Sequence, residues 1–365
     1  MAIDSVSTLV AVLKQSKLLE PNQLQELQAL AGAFSDPKLF VRDLIGREWL
    51  TPYQANQVFQ NGGKELVLGP YVIMTRLGDG VLGQVFKARH RRMNRLVALK
   101  VIRAELLARP EAVERFYQQS QVVSSLSDPH IVHAYDAGPM GQTHFLAMEF
   151  VEGVDLDTLV QQSGALPLPV AADFICQAGQ GLQHAHERNT PHLDLKPTNL
   201  LVTRQLAGAA GPASGSSSWR SLLATAGGGG ATVKINNFGL SFLHGSGQTA
   251  TDPTTLGGSK VATDYASPER FLQGGKPDIR SDLYSLGCIY YYLVAGRVPF
   301  PGGTPADKVR RHQTEEPVPL NLLRKDAAAD TMAIIGKMMA KRPQQRFQTP
   351  AELVQALGGG RHAPR

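Results

Sequence analysis

The sequence predicts an α+β protein in which a small β-rich lobe precedes a larger helical one, with a short helical region ahead of both. Three observations carry this. Apolar positions recur at three- and four-residue spacing over the first 66 residues, short β-type runs follow from Tyr71 to Ile102, and the pattern turns mainly helical after Gly153. With 365 residues, 42% of them hydrophobic, the chain is long enough to bury two cores.

The elements follow in order. Asp4 and Ser5 can cap a helix with Val6, Leu9, Val10 and Leu13 on one face, and Pro21 opens a second with Leu24, Leu27 and Leu30. A third runs from Pro37 through Ile45, Trp49, Tyr53 and Val58 mark a fourth, and Gly62-Gly63 breaks the series. This gives a helical N-terminal region over residues 1–66, a helical bundle packed on its neighbour or on a partner. Strand-like runs occupy Tyr71 to Arg76, Gln84 to Arg89 and Val97 to Ile102. A helix covers Pro110 to Leu126, and strands lie around Ile131 to Asp136 and His144 to Glu149. The β-rich lobe is thus placed at residues 67–152 and the helical lobe at 153–357, with a tail over 358–365. Residues 203–232 are rich in alanine, glycine and serine and read as a flexible insertion, because they bury too little to offset their ordering entropy. Their flanks, Leu200-Leu201-Val202 and Val233-Lys234-Ile235, read as two paired strands.

A net charge of +6 raises the question of a nucleic-acid partner. The densest basic cluster, Arg89 to Arg95, falls between two strand-like runs, where a solvated hairpin turn accounts for it, and no nucleic-acid partner is expected. The longest apolar run, Leu286 to Val294, is too short to span a bilayer, so no membrane partner is expected either. The start of the chain lacks the basic and apolar segments of a signal peptide, which makes the cytoplasm the expected compartment. Cys176 and Cys288 each sit in an apolar helical pattern and are expected as buried thiols.

Two motifs point to a nucleotide. Gly78-Asp79-Gly80-Val81-Leu82-Gly83-Gln84-Val85 is a GxGxxGxV loop between strands, where glycines let backbone amides approach phosphates. An ordinary glycine-rich turn would look the same. Val97-Ala98-Leu99-Lys100 then puts an ammonium on the third strand, within reach of the α and β phosphates of a nucleotide under that loop. His192-Leu193-Asp194-Leu195-Lys196-Pro197-Thr198-Asn199 follows, and after it come Asn237-Phe238-Gly239, Ser267-Pro268-Glu269, Asp282-Leu283-Tyr284-Ser285-Leu286-Gly287 and Arg342-Pro343 with Arg346.

In this order and spacing the motifs resemble those of bacterial Hanks-type Ser/Thr protein kinases, from about Gly69 to Leu357. The resemblance implies a bilobal protein-kinase fold binding ATP and Mg²⁺ in the cleft between Lys100 and Asn237, with a protein substrate or partner. By that likeness Gly78, Gly80, Gly83, Val85, Ala98, Lys100, Met148, Glu149, Phe150 and Asn199 would hold ATP, Met148 being the gatekeeper that opens the hinge. Asp194 would accept the substrate hydroxyl proton and Lys196 would contact the transferring phosphoryl group. Asn199 and Asn237 would face the metal. Glu269 would pair with Arg346 to anchor the activation segment, and Asp282 would hold the catalytic-loop backbone.

The departures from the family pattern bear on activity. Asn237 stands where the family carries the Asp of Asp-Phe-Gly, so a full charge is missing from the Mg²⁺ shell. A loss of several kcal/mol of transition-state stabilisation would slow transfer by on the order of 10² to 10⁴. Gln119 takes the place of the glutamate that pairs with the lysine, and a neutral amide brings no counter-charge to Lys100. Leu193 replaces the arginine that reads a phosphorylated activation loop, and Val261-Ala262 replaces the Gly-Thr before Tyr265. Thr249, Thr251, Thr254 and Thr255 are either activation-segment hydroxyls open to another kinase or part of a disordered loop, and the sequence favours neither reading. The expected function is that of an impaired kinase-like regulatory or binding protein, a pseudokinase. The alternatives are an active Ser/Thr kinase and a nucleotide-free interaction scaffold.

Overall fold

The computed structural model describes residues 3–141, 143–204, 230–240, 243, 263–272 and 275–358. Most of the 203–232 insertion, the four threonines from Thr249 to Thr255, Val261-Ala262 and residues 359–365 lie outside these described residues. The chain divides into two compact units, Met1–Pro110 with Ala134–Phe150, and Glu111–His133 with Val151–Arg365.

The first unit begins with four short helices, each with a cap written in its sequence. In α1 (Val6–Ser16) the Ser5 side chain accepts from the Thr8 amide, and Leu9 and Leu13 are buried. Helices α2 (Pro21–Ala31) and α3 (Pro37–Gly46) each start on a proline at their first position, where the missing N–H costs nothing. Helix α4 (Pro52–Asn61) carries a Thr51/Gln54 capping box and ends at Gly62, whose φ of 72° only glycine adopts without strain. An antiparallel six-stranded sheet follows: β1 (Val67–Leu68), β2 (Tyr71–Gly80), β3 (Gly83–His90), β4 (Arg95–Ile102), β5 (Ala134–Met140) and β6 (Thr143–Glu149), in the order β1-β2-β3-β4-β6-β5.

The helices and the sheet share one core. Leu9, Leu13, Leu27, Phe40, Leu44 and Val58 pack in the same cluster as Leu66, Val72, Ile73 and Phe86. A polar clamp joins them as well. The β2–β3 register slips between Ile73 and Thr75, and the carbonyls at this bulge accept from α4: Gln54 Nε2 donates to Ile73 O at 2.7 Å and Thr51 Oγ1 donates to Met74 O at 2.5 Å. Gln54 is buried. Gln54→Ala leaves a buried carbonyl without its donor, so it is expected to destabilise the protein by about 1–3 kcal/mol, read as a lower urea midpoint at unchanged slope.

The second unit opens with most of α5 (Pro110–Ser124). The sequence placed a strand around Ile131 to Asp136. Ile131 instead makes an isolated parallel bridge to Ile235, and regular pairing starts at Ala134. A three-stranded sheet of β7 (Gly153–Asp155), β8 (Leu200–Arg204) and β9 (Ala231–Ile235) forms with the paired register expected across the insertion, Leu200 opposite Ile235 and Val202 opposite Val233. Helices α6 (Leu156–Ser163), α7 (Leu168–His186), α8 (Ile279–Ala295), α9 (Pro305–Thr314), α10 (Ala329–Met338) and α11 (Pro350–Ala356) complete it. Helix α8 is buried almost all round and crosses α10 closely at Gly287, where an added Cβ would lie 2.7 Å from Met338 Cβ. Cys288 is buried and Cys176 half-buried, and both are free thiols. Among the described residues no helix is long and apolar enough to cross a membrane.

Candidate functional site

In the first unit the sheet register decides which side chains can act together. Val85 lies opposite Lys100, Lys100 opposite Leu146, and Ala98 opposite both Met148 and Lys87. Directly opposed residues share a face, as do positions two apart on a strand, so Val85, Lys87, Ala98, Lys100, Leu146 and Met148 all occupy one face of the sheet. Val97, Leu99, Phe145 and Ala147 alternate to the other face and form a separate apolar core with Tyr71 and Ala88. Lys100 and Met148 are buried. Glu149 pairs with Val97 and so falls on the opposite side from Met148. Phe150 receives the Lys87 ammonium over its ring at 4.4 Å, a contact the sequence did not reveal.

The glycine motif is less of a loop than expected. Strands β2 and β3 run on to Gly80 and Gly83, which face each other and leave Val81 and Leu82 as the turn. Gly83, at φ 144°, is obligatory because an added Cβ would lie 1.9 Å from Val101 O. An added Cβ at Gly78 would meet nothing within 4 Å, and at Gly80 only Gly83 O at 4.0 Å. That open space along the hairpin leaves room for a phosphate chain to approach the backbone.

In the second unit, Asp282 of α8 organises the loop from His192 to Asn199. Its two carboxylate oxygens accept from the His192 and Leu193 amides at 2.7 Å each. Burial pushes this carboxyl up to about 7, against the pull of those two donors. Leu193 takes a left-handed φ of 60°, costly for a branched side chain, and Arg270 holds it there by donating to Leu193 O. The Arg270 guanidinium is itself buried beside Asp194 and Asp282. The sequence reading missed Arg270, although it directly follows Ser267-Pro268-Glu269.

His192 is fully buried and its tautomer is fixed by its neighbours. Nε2 lies 2.8 Å from Asn236 O and must donate, while Nδ1 accepts from the Asp194 amide at 3.2 Å. A second proton at Nδ1 would point at an N–H donor, and burial holds the imidazole below its ordinary value. The unfolded chain therefore takes up that proton first, and this contribution to stability is lost as pH falls below 6.5. NMR of the ring is expected to find His192 neutral at pH 6; a ring titrating at 6.5 or above contradicts the arrangement.

The expected transfer residues come together in this unit. Lys196 Nζ reaches Asp194 Oδ2 at 3.1 Å, and Asn199 Nδ2 donates to Asp194 O at 2.7 Å. That bond fixes the Asn199 amide with Oδ1 as its remaining acceptor. Asn237, at a φ of 67° that asparagine tolerates, then donates from Nδ2 to Asn199 Oδ1 at 2.7 Å. The two amides expected at the metal are thus bonded to each other. Among the described residues no three His, Cys, Asp or Glu side chains cluster to hold a metal ion. Asn199 and Asn237 bring only neutral amide oxygens, and Asn199 Oδ1 already accepts a hydrogen bond, so this pair of side chains is a poor fit to a hard divalent cation. Gln119, on α5, borders the same segment, its Oε1 3.5 Å from where a Gly239 Cβ would stand. Phe238 packs edge-on to His192 at 4.7 Å. The structural pair expected from the sequence forms as well: Arg346 donates to both Glu269 oxygens at 2.8 Å.

An antiparallel sheet with a glycine hairpin and a buried lysine, together with a helical unit whose aspartate-held loop presents Asp194, Lys196 and Asn199, defines a bilobal protein-kinase fold. The protein kinase domain profile matches residues 71–356, and the chain belongs to that family, with relatives among the bacterial Hanks-type Ser/Thr kinases. It is 33% identical over 282 residues to the serine/threonine-protein kinase PknB of Mycobacterium tuberculosis, covering 76% of this chain and 40% of that protein. A probable serine/threonine-protein kinase of Clostridium perfringens is 31% identical over 284 residues, covering 78% of this chain and 37% of the relative. The chain therefore matches about two fifths of the length of these relatives. The crystal structure of the Mycobacterium tuberculosis PknI kinase domain superposes with a TM-score of 0.57 at 22% identity, covering 80% of this chain and 97% of that one. At that identity the likeness concerns the fold alone.

Proposed function

We propose that this protein is a degenerate Ser/Thr protein kinase that holds a nucleotide and works as a regulatory or binding module, with weak or no phosphoryl transfer. The observation that carries the reading is the Asn237 Nδ2 to Asn199 Oδ1 hydrogen bond, which engages the oxygen a metal would need and puts a neutral amide where the family has a carboxylate. Gly78, Gly80, Gly83, Val85, Ala98, Lys100 and Met148 would hold ATP, with Glu149 and Phe150 as the hinge. Adenine in such sites is held by apolar contact with a few backbone groups, and this sheet face supports that part of the work without a metal. Gln119 and Leu193 support the same reading, as further positions where charge used in catalysis or its control is missing.

The intact half of the machinery favours a second reading, an active Ser/Thr kinase. Asp194, steadied by Lys196 at 3.1 Å, keeps a carboxylate placed to take a proton from a Ser or Thr hydroxyl as that oxygen attacks the γ-phosphorus of ATP. A radiolabel transfer assay on the purified chain separates the two. The proposal expects incorporation no greater than that of Asp194→Ala. Transfer at an ordinary kinase rate that Asp194→Ala abolishes would overturn it. A thermal shift with ATP tests the nucleotide itself: no shift with or without Mg²⁺ would leave only the scaffold role.

A further inference from the structure

The peptide group that precedes Asp194 is held at both edges. Its carbonyl, Leu193 O, accepts from Arg270 Nη1, and its N–H, that of Asp194, donates to His192 Nδ1 at 3.2 Å. Because a peptide group is planar, these two bonds set its orientation and so the direction in which the Asp194 side chain leaves the backbone. The preceding peptide is set as well, since the Leu193 N–H donates to Asp282 Oδ1 at 2.7 Å. With both its N–H and its C=O bonded, Leu193 stays at a φ of 60° that leucine otherwise avoids. From this backbone Asp194 Oδ2 meets Lys196 Nζ at 3.1 Å.

Arg270 is fixed in its turn. It lies in the 3₁₀ turn Pro268–Phe271, where both Glu269 oxygens accept from Arg346 at 2.8 Å and Oε1 also accepts from Ser281 Oγ at 2.6 Å. The Arg270 guanidinium is enclosed near the carboxylates of Asp194, Asp282 and Glu269, which favour the charge that burial opposes. A continuous path of bonds therefore runs from Arg346 through Glu269 and Arg270 to the backbone of Asp194. Every link in it is a group of the polypeptide itself. Leu193, with an alkyl side chain, offers nothing to pair with a phosphate.

We infer that Arg270 is the positioning residue of Asp194, a cation built permanently into the chain that fixes this loop without phosphorylation of the activation segment. The inference goes beyond the nucleotide reading and does not depend on it, because the loop is held in the same way whether or not Asp194 takes part in transfer.

Site-resolved hydrogen exchange on the full chain, shown by mass to carry no phosphate, tests this at the Leu193 and Asp194 amides, with the amides of Ile289 and Leu293 in α8 as the reference. The phosphate-free chain is expected to protect both loop amides; unprotected exchange there would overturn the inference. Arg270→Met, which removes the donors and the charge, is expected to speed exchange at the two loop amides about tenfold while the α8 amides change less than about twofold. Arg270→Lys keeps the charge and one donor group, and is expected to recover about a threefold part of that loss. Equal acceleration in the loop and in α8 would mean that Arg270 only stabilises the unit, and no acceleration would mean that the loop holds itself; either result overturns the inference. If Arg270→Met does not fold, Arg270→Lys is read against the unmodified chain by the same two sets of amides. Exchange about threefold faster in the loop with α8 unchanged supports the inference, and a parallel shift overturns it.

Discussion

Arg346→Ala is expected to cost about 3–5 kcal/mol, enough to unfold a marginally stable helical unit at room temperature. Arg346 is buried against Tyr284 and donates to the Ala340, Lys341 and Arg280 carbonyls as well as to both oxygens of Glu269. Truncation orphans the three carbonyls at once and leaves the buried Glu269 carboxylate without a counter-charge, with the Ser281 hydroxyl still donating to it. Burial by itself raises the Glu269 carboxyl; the Arg346 bonds outweigh it and hold the group below its ordinary value. Because the folded value is depressed, this pair stabilises the fold above the unfolded carboxyl value and its contribution disappears as pH falls through the folded one. Urea unfolding checks the magnitude. The double change Glu269→Gln with Arg346→Met is expected to recover part of the loss, since it removes the buried charge along with its partner. A loss below about 1 kcal/mol for Arg346→Ala would mean that the fork does not anchor the unit.

Asn237→Asp is expected to make the protein respond to Mg²⁺ where the unmodified chain does not. The substitution replaces a donor by an anionic oxygen facing Asn199 Oδ1 across 2.7 Å, so without metal the two oxygens repel and the melting temperature falls. A divalent cation between them removes that penalty. At a tenfold excess over its dissociation constant it would return about 1.4 kcal/mol, a rise of a few degrees. Phosphoryl transfer is expected to recover little from this change, because Gln119 remains a neutral amide. Strong recovery would show that Asn237 alone limits the chemistry.

The sequence made the fold legible because its kinase motifs double as structure. Asp282 and the Glu269/Arg346 pair occur in the expected roles since each holds backbone or charge that the fold leaves buried. Asn237 could be read as a missing charge, but its bond to Asn199 could not, because it depends on the Asn199 amide being turned by Asp194 O, a matter of side-chain orientation rather than spacing. Arg270 went unread for a similar reason: arginine is common on surfaces, and only its reach to Leu193 O gives it meaning. Gln54 is the clearest miss. On an amphipathic helix it passes for a solvated polar residue, and only the bulge in β2 makes it a buried clamp.

The central claim is that the bonded amides Asn199 and Asn237 have given up the metal. It is tested most directly by measuring ADP affinity of the unmodified protein by calorimetry with excess Mg²⁺ and with EDTA. The account predicts the same dissociation constant in both, within about twofold. A constant that tightens about tenfold or more with Mg²⁺, and loses that gain in Asn199→Ala, would contradict it.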